Sequence, residues 1–498
     1  MDLPTAQKQA DRLMSATSDA PDQALLCKEL ERTFMSRFYR GKQPDLEYPK
    51  ILCRLALSSD PLTAETAVKY LYNRIIEQLC DDFSERGAQL AARILAYIVP
   101  ATIDKLGESK MAAILYQRGL DTEDKLLKNL HATDSRQNVC FSRQERIGKI
   151  IILSRVTVGA DIAITGVMAR RLSAAFPAAE LVFIGPKHLP QLFHDLPHCR
   201  FLSLDYIRRG SIHDKIAFWP ELVEMVENES STCRQGEVLV FDPDTRLTQL
   251  GLLPPCPPER YFHFNSRTRK PEGASPGLTV IVNEWLDQIL GKQALVYPWV
   301  SLLAEHEEKA ATFCGMLRNN GCRQIISINF GVGNDQRKRI ADPFEDEVLQ
   351  TLLQQENTII LLDTGIGTEE KNRAENLLQA AAARNVRTSL SSESVLAAAR
   401  IDYAHGIVAL RASIGMFGAL IDKSDGFVGY DSCCQHLANA LEVPACIVFT
   451  GHRNERFLDR WSPANAAETT TIIPVSEHIF DIKQIRALAG KVHDCMTA

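Results

Sequence analysis

Nothing long and apolar enough to cross a bilayer is present. The longest apolar runs, such as Ile150 to Leu153 and Thr358 to Leu362, fall far short of the ~20 residues a spanning helix needs. The opening segment MDLPTAQKQADRL is polar and charged, without the apolar stretch of a secretory signal. Export is therefore not expected, and the chain reads as cytoplasmic, with at most peripheral membrane contact. Excess positive charge is also missing: the net charge is -6, which leaves no electrostatic support for nucleic-acid binding. The 13 cysteines include no C-x-x-C pair and no Cys/His set at zinc spacing. Reduced, buried thiols are expected, the adjacent pair Cys433-Cys434 included, and no metal. The glycine pair of Gly331-Val332-Gly333 lacks the third glycine and the downstream acid of a dinucleotide fingerprint, so no nicotinamide or other cofactor is expected.

What is present is an ordinary globular composition, 45% apolar and 24% charged, over 498 residues. That length exceeds one core and predicts two or three domains. From Thr5 to about Ala132 the apolar residues recur at helical spacing, as in Ala67, Tyr70, Leu71, Ile75 and Leu79, predicting an all-helical domain over residues 1–135. Ser59-Asp60-Pro61 and Asp121-Thr122-Glu123 read as helix starts, Gly41 and Gly107 as ends, and Ala132 to Glu145 as a linker. Short β-rich runs then alternate with amphipathic segments, the mark of parallel βαβ units. A first cycle is predicted over residues 146–290, with strands at Lys149 to Leu153, Leu181 to Gly185, Phe201 to Leu204, Val238 to Phe241 and Tyr261 to Phe264. The Pro/Gly-rich interval Lys270 to Gly277 precedes a connecting helix at Val282 to Gly291. A second cycle over residues 295–475 has strands at Gln324 to Phe330, Thr358 to Asp363, Gly426 to Gly429 and Ala445 to Phe449, and residues 476–498 form a C-terminal helix. Two such α/β, doubly wound halves form a ligand cleft suited to nucleotides and phosphates.

The most specific segment is DGFVGYDSCCQHLANALEVPACIVFTG, residues 425–451. Asp431-Ser432 stands where a helix begins, so hydroxyl and backbone amides can receive a phosphate there, with His436 one turn on. The same residues would equally serve as a plain helix cap. This segment resembles the C-terminal signature of the ADP-heptose:lipopolysaccharide heptosyltransferase family (glycosyltransferase family nine), roughly aDlvvgnDSGpmHlAaAlgvPvvalfG. The matching residues include Asp425, Gly429, Asp431, Ser432, His436, Ala438, Pro444 and Gly451. SRVTVGADIAITGVMARRLSAAFPAAELVFIG, Ser154 to Gly185, resembles the family's N-terminal strand, Gly-Asp turn and helix, with Asp161 at its catalytic base. NFGVGNDQRKRIADPFEDEVL, Asn329 to Leu349, resembles the segment nPGasw..KrWpperf and places Gly331 and Lys338 among the donor-binding residues, Lys338 at the phosphate-contacting lysine. Read alone, Arg337-Lys338-Arg339 is also a plausible solvated charge cluster.

The resemblance spans about Ile147 to Asp481 and implies the GT-B fold: two Rossmann-like domains facing across a cleft, here preceded by an all-α domain. It implies a glycosyltransferase that moves a heptose or related sugar from a nucleotide-sugar donor, an ADP-sugar favoured, to a hydroxyl, with inversion and without a metal. The implied acceptor is a glycan, a lipid-linked glycan or a protein, and the helical domain offers a surface for oligomers. Asp161 would be the base, Lys338 the diphosphate partner, and Asp431, Ser432 and His436 the donor-loop contacts, with Gly331 beside them. The sequence departs from the family in two places: Ala160 separates Gly159 from Asp161, and Cys433 replaces the glycine after Asp-Ser. A GT-B binding protein without transfer activity and a nucleotide-sugar epimerase of the same architecture remain the alternative functions.

Overall fold

Strand β1, Lys149–Leu153, is buried along its whole length, as a central strand of a parallel sheet covered on both faces must be. In the computed structural model it is flanked by β2 (Glu180–Gly185) and β4 (Val238–Asp242), with β3 (Cys199–Ser203) and β5 (Tyr261–His263) outside them. The order is β3-β2-β1-β4-β5, all parallel. The structure describes all residues except 16–19, 107–108, 136–146, 209, 235–236, 269–276, 334, 453, 466, 476–480 and 498. Gly107 and most of the expected linker and Pro/Gly-rich interval lie outside the described residues; the linker's first residues, through Ser135, are still helix.

The described residues of the N-terminal region form helices joined by short turns, with no strand among them. Asp60 caps the helix Pro61–Val68 through its carboxylate and the Thr63 amide, 2.9 Å away. That helix runs on through a π-helical stretch, Lys69–Ile76, into Glu77–Cys80, where a tight turn leads to the helix Glu85–Leu106. Alternation within the first sheet explains why this region is attached so closely. Ile151, Leu153, Val182, Ile184, Val238 and Val240 project from one face into a core continuous with Leu71, Ile75, Leu79 and Ile94 of the helices. The opposite face, with Ile150, Ile152, Phe183 and Phe241, packs under the helices Val167–Ala175 and Leu278–Leu290. The helical region therefore forms part of the outer layer of the first α/β domain.

After β1 the chain enters a helix at Val158–Ala160, widens to a π-helix over Asp161–Gly166, and resumes as α-helix from Val167. A π-turn takes up one extra residue without breaking the helix. Trp299 Nε1 donates to the Gly166 carbonyl at 2.7 Å, at the end of the widened stretch.

The second sheet, also wholly parallel, runs β12-β11-β10-β6-β7-β9-β8. Its central strands are β6 (Gln324–Asn329), β7 (Thr358–Asp363), β10 (Gly426–Tyr430) and β11 (Ala445–Thr450), as the sequence pattern predicts to within a residue or so. Three strands went unpredicted: β8 (Thr388–Ser392), β9 (Gly406–Arg411) and β12 (Thr470–Val475). β8 and β12 are edge strands that are largely half-buried, so they lack a continuous apolar run. The C-terminal helix Ile482–Thr497 returns to pack beside the helix Phe344–Leu352.

Candidate active site

In an open parallel sheet, the loops leaving the two strands at which the winding reverses splay apart and leave a crevice. In the first sheet those strands are β1 and β4, and in the second β6 and β10. Asp161 follows β1, Gly331 and Lys338 follow β6, and Asp431, Ser432 and His436 follow β10, so every residue singled out from the sequence sits at a switch point. The two switch points touch: a Cβ on Gly159 would fall 2.6 Å from His436 Cδ2. Glycine at 159 is what allows the first domain to approach the β10 loop this closely.

Within the second domain the residues converge. The Lys338 ammonium donates a hydrogen bond to Asp431 Oδ2, and Gln435 Nε2 donates to Asp431 Oδ1 at 2.7 Å. Burial alone would lower the Lys338 pKa, but Asp431, with Asp81 and Asp335, holds it above its ordinary value. The flanking cations of the cluster divide by purpose. Arg337 is held bidentate by Asp335 at 2.8 and 2.7 Å, whereas Arg339 turns away to Glu345 at 2.6 Å. Ser432 has the extended N-cap conformation of the helix Cys433–Ala440, yet its hydroxyl donates to Asn329 Oδ1 at 3.3 Å and caps nothing. The first-turn amides of that helix are thus left without a side-chain cap at the mouth of the crevice. Gly331 N donates to the same Asn329 oxygen at 3.1 Å. His436 is buried against the Trp461 ring, and burial pushes its pKa down to about 4, so at neutral pH it is an uncharged imidazole.

Asp161 is placed differently from its expected role. Its carboxylate accepts from Ser154 Oγ at 2.7 Å, the Arg155 amide at 2.7 Å and Thr165 Oγ1 at 2.8 Å, and the residue has no exposed surface. Burial raises its pKa to about 6 against these hydrogen bonds. A carboxylate so enclosed fixes the turn between β1 and its helix, and it presents no oxygen to the cleft.

Two hollows open beside the loop after β6. One, of about 260 Å³, lies between the loops after β6 and β7 and is lined by Gly331, Asp363, Gly365, Glu370 and Arg373. The other, of about 410 Å³, is bounded by Arg337, Lys338, Gly451, His452 and Phe457 on one side and by Tyr39, Gln78, Asp81 and Asp82 of the helical region on the other. The local sequence pattern gives little sign of this second wall. Its one signal is an aromatic residue in an otherwise polar turn, Asp81-Asp82-Phe83-Ser84: the Phe83 ring lies 6.2 Å from that of Phe457 and 6.4 Å from that of Trp461. Among the described residues no group of three or more His, Cys, Asp or Glu is arranged to hold a metal ion, and no helix is long and apolar enough to cross a membrane.

Two doubly wound parallel domains meeting at their switch points, with a helical region closing one side, define a GT-B-type α/β protein. Residues 346–473 match the family model described as "Glycosyltransferase family 9 (heptosyltransferase)". The match lies within the second domain, with Asp431, Ser432 and His436 inside the matched segment and Lys338 just before it. No curated protein sequence matches the chain. Among solved structures, a glycosyl transferase family 9 protein from Veillonella parvula is similar at 12% identity and a TM-score of 0.48, over 67% of this chain and 88% of that one. The ADP-heptose lps heptosyltransferase II of E. coli is similar at 16% identity and a TM-score of 0.46, over 70% and 98% of the two chains. The E. coli heptosyltransferase WaaC with ADP-2-deoxy-2-fluoro heptose is similar at 12% identity and a TM-score of 0.43, over 70% and 100%.

Proposed function

We propose that the protein transfers a heptose or related sugar from a nucleoside-diphosphate donor, an ADP-sugar first among them, to an acceptor hydroxyl. The observation that carries this reading is the meeting of Lys338 with the Asp431-Ser432 helix start at the switch point of the second sheet. A diphosphate placed there would receive the uncapped amides of the helix Cys433–Ala440 and the ammonium of Lys338, while Asp431 orients that ammonium or the sugar. The nucleoside would extend toward the hollow at Gly331, Gly365 and Glu370. As the glycosidic bond to the diphosphate breaks, negative charge grows on the leaving oxygens. A fixed cation meets that demand without reorganisation, so Lys338 serves where other transferases use a metal, and attack from the opposite face inverts the anomeric centre. The reaction is assigned to the cytoplasm, where the described cysteines, all free, stay reduced.

A thermal-shift series with ADP-, GDP-, dTDP- and UDP-sugars tests the reading. A ligand at 100 times its Kd stabilises by about 2.7 kcal/mol, and at the same concentration the shift should be markedly smaller in Lys338→Ala. The enclosure of Asp161 favours a second reading, a GT-B protein that binds the donor without turning it over. Binding without any sugar release, with every acceptor hydroxyl offered and with water, distinguishes it.

A further inference from the structure

We propose that Asp81, carried by the N-terminal helical region, is the base that takes the proton from the acceptor hydroxyl, an assignment that rests on the transferase reading above. The carboxylates on the wall of the larger hollow are Asp81, Asp82 and Asp335. Asp82 is consumed by Arg456 and Asn454, and Asp335 by Arg337. Asp81 is left: among the described residues nothing hydrogen-bonds to its carboxylate. Two nitrogens lining the same hollow also lack a partner, Arg337 Nη1 and His452 Nδ1, both buried. Two buried, unengaged nitrogens around one cavity, with the part-exposed Asp81 carboxylate beside them, mark the place of a polar ligand, because buried polar groups are otherwise almost always paired. This place lies beside Lys338.

The turn is held firmly enough to aim the group. Arg456 grips Asp82, and Phe83 is wedged between Phe457, Trp461 and the Arg460 guanidinium, 5.8 Å from its ring. The charges around Asp81 suit the task. Burial and Glu77 on its own helix raise its pKa, while Lys338 from the β6 loop, Arg267 from beyond β5 and Arg246 from beyond β4 lower it, leaving it at about 6. Arg337 faces it as well. Such a group is ionised at neutral pH yet basic enough to accept a proton. In the step itself, an Asp81 oxygen takes the acceptor's hydroxyl proton as that hydroxyl oxygen bonds to the anomeric carbon. The bond from that carbon to the diphosphate breaks, and its electron pair leaves with the nucleoside diphosphate, opposite Lys338.

The test uses the full chain, Asp81→Asn and Asp81→Glu, and ADP-heptose (or whichever of the GDP-, dTDP- or UDP-sugars binds instead), with water standing in for the acceptor. Asp81→Asn should keep the melting temperature and bind the matching nucleoside diphosphate within about twofold of the parent, yet release sugar at least ~100-fold more slowly. The parent's rate should fall with acid below about pH 6, and that limb should be missing from the residual rate of the variant. Asp81→Glu should recover part of the rate. Sugar release by Asp81→Asn at the parental rate or faster overturns the assignment and makes the turn a plug. So does a parent that binds a donor but shows no turnover dependent on Asp81. Failure of the parent to bind any of the donors sinks the transferase reading itself, and this assignment with it.

Discussion

Arg456, from the second α/β domain, holds Asp82, from the helical region, with Nη2 3.0 Å from each carboxylate oxygen and Nε 2.9 Å from the Asp82 carbonyl. The pair joins the two ends of the chain across the hollow beside Lys338. Arg456 is half exposed, so its worth to global stability is small, about 1 kcal/mol. Its consequence is local. Arg456→Ala should lower the melting temperature only slightly while amide exchange rises in residues 80–84, and a double-mutant cycle with Asp82→Ala should show coupling. Equal exchange in parent and variant would mean that the aromatic packing of Phe83 holds the turn unaided.

How far the sequence speaks for this arrangement depends on the range of the interaction. The central strands announce themselves because each is a continuous buried apolar run such as Lys149–Leu153, and the donor loop because Asp431, Ser432 and His436 stand within a few residues of one another. Edge strands β8 and β12 are half-buried and give no such pattern. The wall contributed by Gln78, Asp81 and Asp82 is joined to Asn454 and Arg456 over more than 370 positions, and no local periodicity reports a contact at that separation. Asp161 shows the converse. Its position at a helix start is legible, but whether its oxygens face the cleft or Ser154, Arg155 and Thr165 depends on the π-turn that begins at it.

Removing the helical region should cost the first domain its solubility. Val182, Ile184, Val238 and Val240 on one sheet face share a core with Leu71, Ile75 and Leu79, and each such side chain loses about 1.5–3 kcal/mol on exposure to water. A chain beginning at residue 147 is expected to aggregate or to bind hydrophobic dyes strongly. A soluble, cooperatively melting product would show that the helices are a separable domain.

Lys338→Ala should weaken binding of a nucleoside diphosphate by roughly 10–150-fold, the value of about 1.5–3 kcal/mol for a charged hydrogen bond. It also strips Asp431 of its buried cation, so some loss of stability is expected as well. Titration with ADP and AMP by calorimetry separates the effects. A lost phosphate contact penalises the diphosphate far more than the monophosphate, whereas a collapsed loop penalises both equally.

Asp161→Ala should destabilise the fold at every pH. Three donors, two hydroxyls and the Arg155 amide, lose their acceptor in a fully buried place, at about 1–3 kcal/mol for each that finds no other. Urea midpoints measure this directly, and a change below about 1 kcal/mol would show that the turn after β1 is held by its π-helix alone.

Two buried groups at the cleft give the stability opposite dependences on pH, and paired variants separate them. Burial raises Asp161 from 3.8 to about 6 in the fold, so its contribution is fully present below the unfolded value and is lost as pH rises through about 6. Burial lowers His436 from 6.5 to about 4, so its contribution is present above 6.5 and is lost as pH falls toward 4. Each shift corresponds to about 3 kcal/mol in order of magnitude. Relative to the parent, Asp161→Asn, which keeps an acceptor for the Arg155 amide, should therefore gain stability as pH is raised from 5 to 8. His436→Gln should gain as pH is lowered from 7 to 5. Urea unfolding of parent and variants at each pH reads both slopes. If the Asp161→Asn difference stays flat across that range, the carboxylate titrates alike in folded and unfolded chains, and the enclosure that bars it from the cleft is wrong.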